Sequence, residues 1–389
     1  MAIALVESAW ITIPLRVPRG LSGGPITAST DAVCRLTTDD GVEGIGEARG
    51  SDLATICQIV DQALLPLIVG QPEGDIEELW GRMHAAVLGP EVLRPAEWTQ
   101  RAVLAAIGMV DQALWDISAR RRGVPLCMAL GGSRHPVPAY LSEGFYIEGQ
   151  SLDEMAEEAR AGMEACGYRA LKIRIGRTVA GSVERVQHIR RRLGDALALM
   201  VDANQAWDVP TASKAAARME QFNLTWFEEP IRPYGGLYRP RQGHDPNGDT
   251  GRLAARTSIP IATGENHVTY DECEDVVLRG HVRYVQFDAI KNGGVTEWMR
   301  VARVCGEHGV VMAPHHVPHF HVQLAAAVPH GAWVECFDPA KQHPAWPDLF
   351  PGFPPVVDGA ITPPDAPGWG MTINDEMLRK HGVLVRWRT

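Results

Sequence analysis

From about residue 135 onward the chain alternates short apolar runs with amphipathic segments, and this alternation constrains the fold more than any other feature. The runs are VPAYLS, ALKIRI, LALMVDA, TWFEEP, IPIATGE, YVQFDAI, VVMAPH and AWVECF. Segments such as LDEMAEEARAGMEACG and VTEWMRVARVCGEHG separate most of them. Repeated strand–helix alternation means a parallel sheet. Eight such strands within about 200 residues predict a closed (β/α) barrel.

The flanking regions have a different texture. Residues 1–50 read as antiparallel strands, with AVCRLTT (32–38) and 44–48 on either side of an Asp39-Asp40-Gly41 turn. The stretch RVPRGLSGGPITAST, rich in Gly and Pro, reads as a loop of about fifteen residues, either a functional lid or a disordered segment. A helix is expected from Trp98 to Arg122. Its small and apolar residues recur at helical spacing, and Gly123 and Pro125 close it. After Pro347 periodicity fades, and residues 351–389 read as a tail packing back on the first unit. The expected division is a capping domain over 1–125, the barrel over 126–350, and that tail.

In a parallel barrel the C-terminal strand ends converge on one mouth, where catalytic residues collect. The last residues of successive runs are therefore informative. They are Lys172 and Arg174, Asp202 and Asn204, Glu228 and Glu229, Glu265 and Asn266, Asp288, then His315 and His316, while the final run carries Glu335. Asp202, Glu228 and Glu265 lie on three consecutive strands. Carboxylates without cysteine suit a hard cation, Mg²⁺ before Zn²⁺. Singly, each could be a solvated or helix-capping group. Asp288 beside His315 makes a candidate general base, because a carboxylate fixes the imidazole tautomer and raises its basicity. Taken alone, the pair could be a surface histidine with an unrelated aspartate. Lys172 can face a substrate anion or simply be solvated.

Composition limits the partners. With 47 acidic against 37 basic side chains the formal charge is −10, which disfavours nucleic acid and anionic membranes. Seven scattered cysteines without a CxxC pair indicate neither a disulfide framework nor a thiolate zinc site. The N-terminus lacks a basic region and reads as a strand, and no run of 18 apolar residues occurs. A cytoplasmic setting is the expectation.

The order of these motifs resembles the enolase superfamily, and within it the mandelate racemase-like group. ALWDISARRRGVPLCMALGG resembles the end of that family's capping domain. LKIRIG is similar to its K-x-K strand, and VDANQAW, WFEEP and TGEN to its three metal-ligand strands. QFDAIKNGG and APHHVPHFHVQLAAAV are similar to its aspartate–histidine dyad, and VECF to its last strand. In the sister muconate-cycloisomerase group a catalytic lysine stands five positions before the Gly-Gly. Here Asp288 stands five before Gly293, whereas Lys291 stands two before.

The resemblance implies an α/β fold: a modified (β/α)7β TIM barrel with an α+β N-terminal capping domain completed by the C-terminal tail. It implies one Mg²⁺ per site on Asp202, Glu228 and Glu265, with Lys172 holding the substrate carboxylate. His315, oriented by Asp288, would be an acid/base, and Glu335 would bond the carboxylate or its enediolate. Arg174, also in the catalytic set, replaces the usual second lysine and stays protonated near neutrality. Substrate contacts are assigned to Asn204, Arg16, Tyr140 and His316, with Arg19 and the Gly23-Gly24-Pro25 turn in a loop that closes over the site. The reaction expected is removal of a proton α to a carboxylate, then loss of water from a sugar acid. Epimerisation, racemisation or cycloisomerisation of a hydroxy acid are the alternatives. A homo-oligomer is implied.

RPYGGLYRPRQGHDPNGDTGR reads as an insertion, either covering the site, meeting a subunit, or forming a plain surface loop. His319 and His321 invite a zinc-hydrolase reading, but no histidine-rich partner set accompanies them. A non-catalytic carboxylate-binding barrel would have lost a ligand or the dyad, and neither is lost. The glycine clusters GLSGG and NGG match no nucleotide-binding motif.

Overall fold

The structure, a computed structural model, describes residues 2–50, 52–72, 74–231, 245–338 and 346–387. Strands β1 (Ile3–Gly20), β2 (Pro25–Thr38) and β3 (Glu43–Ala48) form an antiparallel sheet, and the chain's last strand, Gly382–Arg386, pairs with the outer side of β1. The loop expected around residues 16–30 is mostly strand instead. Gly20 pairs with Pro25 and Arg19 with Ile26, so the turn shrinks to Leu21–Gly24, closed by the Leu21 N–H donating to the Gly24 carbonyl at 2.9 Å. Pro14 and Pro18, which have no N–H for a ladder, fall where the register shifts between Pro14 and Arg19.

The helix expected at 98–122 runs Gln100–Arg121, with the Thr99 hydroxyl capping its start. It is the one described helix long and apolar enough to cross a membrane, yet 83% of that apolar stretch is buried within the fold. It lies directly on β3, and a Cβ at Gly46 would strike the Met109 carbonyl. Glycine is thus required for that close approach.

Eight parallel strands follow: β4 (Val137–Glu143), β5 (Ala170–Arg174), β6 (Ala198–Asp202), β7 (Leu224–Glu228), β8 (Ile261–Thr263), β9 (Tyr284–Val285), β10 (Val311–Met312) and β11 (Val334–Cys336). They pair in sequence order. β11 pairs with β4, and the residues entering β11 reach β10 through Met312 N–H to His330 O (2.9 Å) and Ala332 N–H to Met312 O (2.8 Å), which closes the barrel. Helices 152–166, 179–193, 209–219, 246–254, 270–279, 294–307 and 318–327 fill the seven crossovers. The first shows why helices start where they do. Ser151 and Glu154 make a reciprocal capping box, and left-handed Gly167 ends the helix.

The tail divides its contacts. Its final strand joins the first sheet, but the hairpin at 356–361 pairs with β4, Ala360 opposite Pro138 and Ile361 opposite Val137. The tail therefore does not pack on the N-terminal unit alone. Its Trp369 N–H donates to Asp116 (2.9 Å), which also accepts the Ile45 N–H (3.0 Å).

A second buried aspartate welds the N-terminal unit to the barrel. Helix Gly294–Glu307 begins at Gly293, which has no capping side chain. Asp111, from helix Gln100–Arg121, caps it instead, accepting the Thr296 N–H at 2.9 Å and the Thr296 hydroxyl at 2.5 Å. Asp111→Ala should lower stability by about 2 kcal/mol, since it orphans a buried donor and removes a cap. The urea unfolding midpoint measures this, and Thr296→Ser should cost less.

Candidate active site

Side chains alternate along a strand, so each barrel strand sends every second residue inward. Tyr140, Ala170, Met200, Trp226, Ala262 and Ala313, with Tyr284 and Trp333 packed against them, fill the barrel floor. Two residues further along each strand stand Ser142, Lys172, Asp202, Glu228, Gly264, Gln286, His315 and Glu335. An apolar floor therefore carries a polar layer at the C-terminal end, where the strands open onto the mouth.

Tyr140 belongs to the floor. It is fully buried, packed edge-on against Trp226 at 5.2 Å, and lies beneath Lys172, whose Nζ is 3.4 Å from its hydroxyl. It supports Lys172 from below. Lys172 is itself fully buried, donating to Glu228 (2.6 Å) and Glu335 (2.8 Å). The Trp226 indole N–H takes the other Glu228 oxygen at 2.9 Å. Arg174 pairs with Asp202, donates to the Ser142 hydroxyl (2.9 Å) and reaches Glu335 at 3.4 Å. The remaining Glu335 oxygen accepts the His316 N–H at 2.9 Å. Burial raises the Glu335 carboxyl, but Lys172, His315 and Arg174 outweigh it and hold the pKa at about 2.

His315 completes the layer. Its Nδ1 is 2.9 Å from Asp288, and its Nε2 is 3.0 Å from Glu265. Burial and Lys291 push the imidazole down; Glu265 and Asp288 overcome both and bring it up to about 9. Burial likewise raises Asp288, but Lys291 and His315 hold it well below the usual carboxylate range. Lys291, two positions before Gly293, is not at the family's catalytic-lysine position. Its Nζ nonetheless lies 3.5 Å from Asp288 and 3.3 Å from His315. The available signal was its i+3 position relative to Asp288 in the turn after β9.

The other predicted residues sort clearly. Asn204 sits at the mouth, donating backbone and side-chain N–H groups to Asp202 at 2.7 and 2.8 Å. The His316 ring stacks on His315 at 5.2 Å and lies 3.0 Å from Arg49. Arg19 is buried against Glu143 (3.2 Å) and Glu158 (3.6 Å), so it fastens the hairpin to the barrel. Ser22 at the hairpin turn bonds the Ala203 carbonyl (3.0 Å), beside Asp202. The Arg16 side chain and residues 232–244 of the insertion lie outside the described residues. The histidines of the zinc reading are spent elsewhere. His319 pairs with Glu47 at 2.9 Å, and His321 bridges the His316 carbonyl (2.9 Å) and the Ala289 N–H (3.2 Å).

The donor set fits Mg²⁺. Asp202 and Glu228 are register partners on β6 and β7, and Glu265 follows β8, so three carboxylates end adjacent strands. Asn204 Oδ1 is buried without a partner and adds a fourth oxygen. With His315 neutral, as a base must be, Asp202, Glu228, Glu265, Asp288 and Glu335 face three cations in this ion-pair network, Lys172, Arg174 and Lys291. The surplus of carboxylate matches a divalent cation, and oxygen-only donors favour Mg²⁺ over zinc. Each proposed ligand is now held by a protein cation, and among the described residues no three such groups already converge. A metal must therefore compete with Arg174, Lys172 and His315.

Comparison with known proteins matches this architecture. Residues 4–131 match the mandelate racemase/muconate lactonizing enzyme N-terminal domain, and 154–377 the enolase C-terminal domain-like family. The chain belongs to the mandelate racemase/muconate lactonizing enzyme family. Among its family relatives, L-talarate/galactarate dehydratase of Salmonella typhimurium is 32% identical over 91% of this chain and 83% of its own length. A 3,6-anhydro-alpha-L-galactonate cycloisomerase of Streptomyces coelicolor is 29% identical, over 96% and 97% respectively. The crystal structure of L-talarate dehydratase from Polaromonas sp. JS666, complexed with Mg and L-glucarate, superposes with a TM-score of 0.85. It is 29% identical and covers all of both chains.

Within this family fold, Lys172→Met would leave Glu228 without its cation and Glu335 with Arg174 alone. Breaking a buried ion pair on one side costs about 3–5 kcal/mol. Urea unfolding in chelator should show that loss, and Glu335→Gln in the same chain should recover part of it.

Proposed function

We propose that this enzyme is a Mg²⁺-dependent acid-sugar dehydratase that removes the proton α to a carboxylate and expels the β-hydroxyl as water. The observation that carries the proposal is the one-sidedness of its acid/base groups. His315 stands at the mouth, oriented by Asp288, and is partly exposed (13%). Arg174, at the position of the family's second lysine, is tied to Asp202, Ser142 and Glu335, and Arg stays charged near neutrality. Lys172 is held between two carboxylates. A two-base racemisation has no second base on these residues.

Asp202, Glu228 and Glu265 would hold the cation. Bound Mg²⁺ supplies the fixed positive charge that a developing enediolate requires. Lys172 and Glu335 form the polar floor beneath the substrate carboxylate. Asp288 accepts from His315 Nδ1 and so directs Nε2 at the α-proton. Glu265 is both the acceptor of His315 and a proposed ligand. With Glu265 engaged in holding the cation, the imidazole would lose one of its two carboxylate partners, and Nε2 would be free to accept a proton while Asp288 keeps Nδ1 oriented. The resulting imidazolium then gives its proton to the departing β-hydroxyl, and the enol product tautomerises to a 2-keto-3-deoxy acid.

The same single-face arrangement would also serve expulsion of a ring oxygen. The cycloisomerase relative makes that the second reading. His315→Asn should lower turnover of sugar acids by about 10³-fold while the calorimetric Mg²⁺ titration persists. Chelator should abolish wild-type turnover, and Mg²⁺ should restore it. An active His315→Asn variant would remove this mechanism.

A further inference from the structure

Glu229 follows the proposed ligand Glu228 and is almost fully buried, so no substrate reaches it. Every polar atom it carries is engaged by the two flanking strand ends. Its N–H donates to the Ala262 carbonyl of β8 (3.0 Å), and its carbonyl accepts the Gln205 N–H beyond β6 (2.7 Å). One carboxylate oxygen accepts the Thr263 hydroxyl (2.7 Å) and the Gly264 N–H (3.2 Å), and the other accepts the Gln205 side-chain amide (3.0 Å). Its φ of 41° is left-handed, a conformation that costs energy in a residue with a side chain.

We propose that Glu229 is a positioning residue that sets the spacing of Asp202, Glu228 and Glu265 and thereby the affinity of the site for Mg²⁺. The proposal rests on the Mg²⁺ reading above. The three points that Glu229 ties together lie beside the three ligands. Gln205 is three residues after Asp202, Glu229 itself follows Glu228, and Gly264 precedes Glu265. Gly264 is at φ +124° and a Cβ there would meet the Gln286 backbone, so this end of β8 has little room to move. Ligand carboxylates whose neighbours share one anchor cannot drift independently.

Three donors converge on its two oxygens, with the Thr263 hydroxyl and the Gly264 N–H sharing one of them. An amide in its place would keep a single acceptor oxygen and lose the negative charge, and Gln205 would have to turn its own carbonyl toward the new NH₂, so the shared anchor would be rearranged and weakened. Groups that hold ligands from behind typically change metal affinity 10–100-fold when removed.

The test is a calorimetric Mg²⁺ titration of the full-length wild type, Glu229→Gln and Thr263→Val at pH 8, with urea unfolding in chelator and turnover against Mg²⁺ concentration. Glu229→Gln is expected to raise the Mg²⁺ Kd about 10–100-fold, with kcat recovering at saturating Mg²⁺. Thr263→Val, which removes one of the three donors, should shift Kd the same way by less. A merely structural Glu229 would lower the urea midpoint and leave Kd unchanged, and that result overturns the proposal. If Glu229→Gln does not fold, an unchanged Kd in both Thr263→Val and Gln205→Met overturns it equally. A wild type that takes up no Mg²⁺ would instead overturn the underlying Mg²⁺ reading.

Discussion

A fully buried lysine ammonium sits at the centre of this barrel, and the site depends on how it is held. Lys172 is tolerable there only because Glu228 and Glu335 both reach it. Glu335 is shared onward with Arg174, and Arg174 with Asp202, so four strands are joined by charge above a floor joined by packing. A network of this kind fixes geometry more than it adds stability, because desolvation consumes much of the Coulombic gain. It also holds carboxylates in surplus, which the apolar floor and closed wall cannot satisfy. The site is thereby prepared for a cation.

The N-terminal unit contributes by contact rather than by chemistry. The hairpin turn meets the barrel through Gly20 and Tyr146, which exchange backbone hydrogen bonds at 2.8 and 2.9 Å, and through Ser22 beside Asp202. Asp111 caps the helix that follows the Asp288–Gly294 turn, and that turn carries both Asp288 and Lys291. The dyad is thus braced from the unit above it. Arg49 reaches down to His316, which stacks on His315. Removing solvent between the two units would strengthen the electrostatics of the mouth.

Much of this was legible because the barrel writes its layers into the sequence. Met200 and Asp202, Trp226 and Glu228, or Ala313 and His315 differ by two positions, so an apolar run ending in a polar residue states both the floor and the mouth. The strand ends bearing Asp202, Glu228, Glu265, Asp288, His315 and Glu335 could be read off directly. What was misread depended on partners distant in sequence. The hairpin around Arg19 looked like a loop because its prolines and glycines suggest irregular chain, whereas pairing with the opposite arm makes it strand. Tyr140, named as a substrate contact, stands by period two in the floor layer below Lys172. Lys291 reaches His315, and Glu229 reaches Thr263 and Gln205, on neighbouring strand ends, and a single sequence does not display those contacts.

The central claim is that proton chemistry occurs on one face of the substrate, through His315 alone. Proton NMR of a stereochemically diverse acid-sugar panel, incubated in D₂O with wild-type enzyme and Mg²⁺, examines it most directly. A 2-keto-3-deoxy acid carrying deuterium at C3, with recovered substrate unchanged in configuration at C2, is the predicted result. Accumulation of a C2 epimer without keto acid would contradict it, because that product requires a second base on the face that Arg174 occupies.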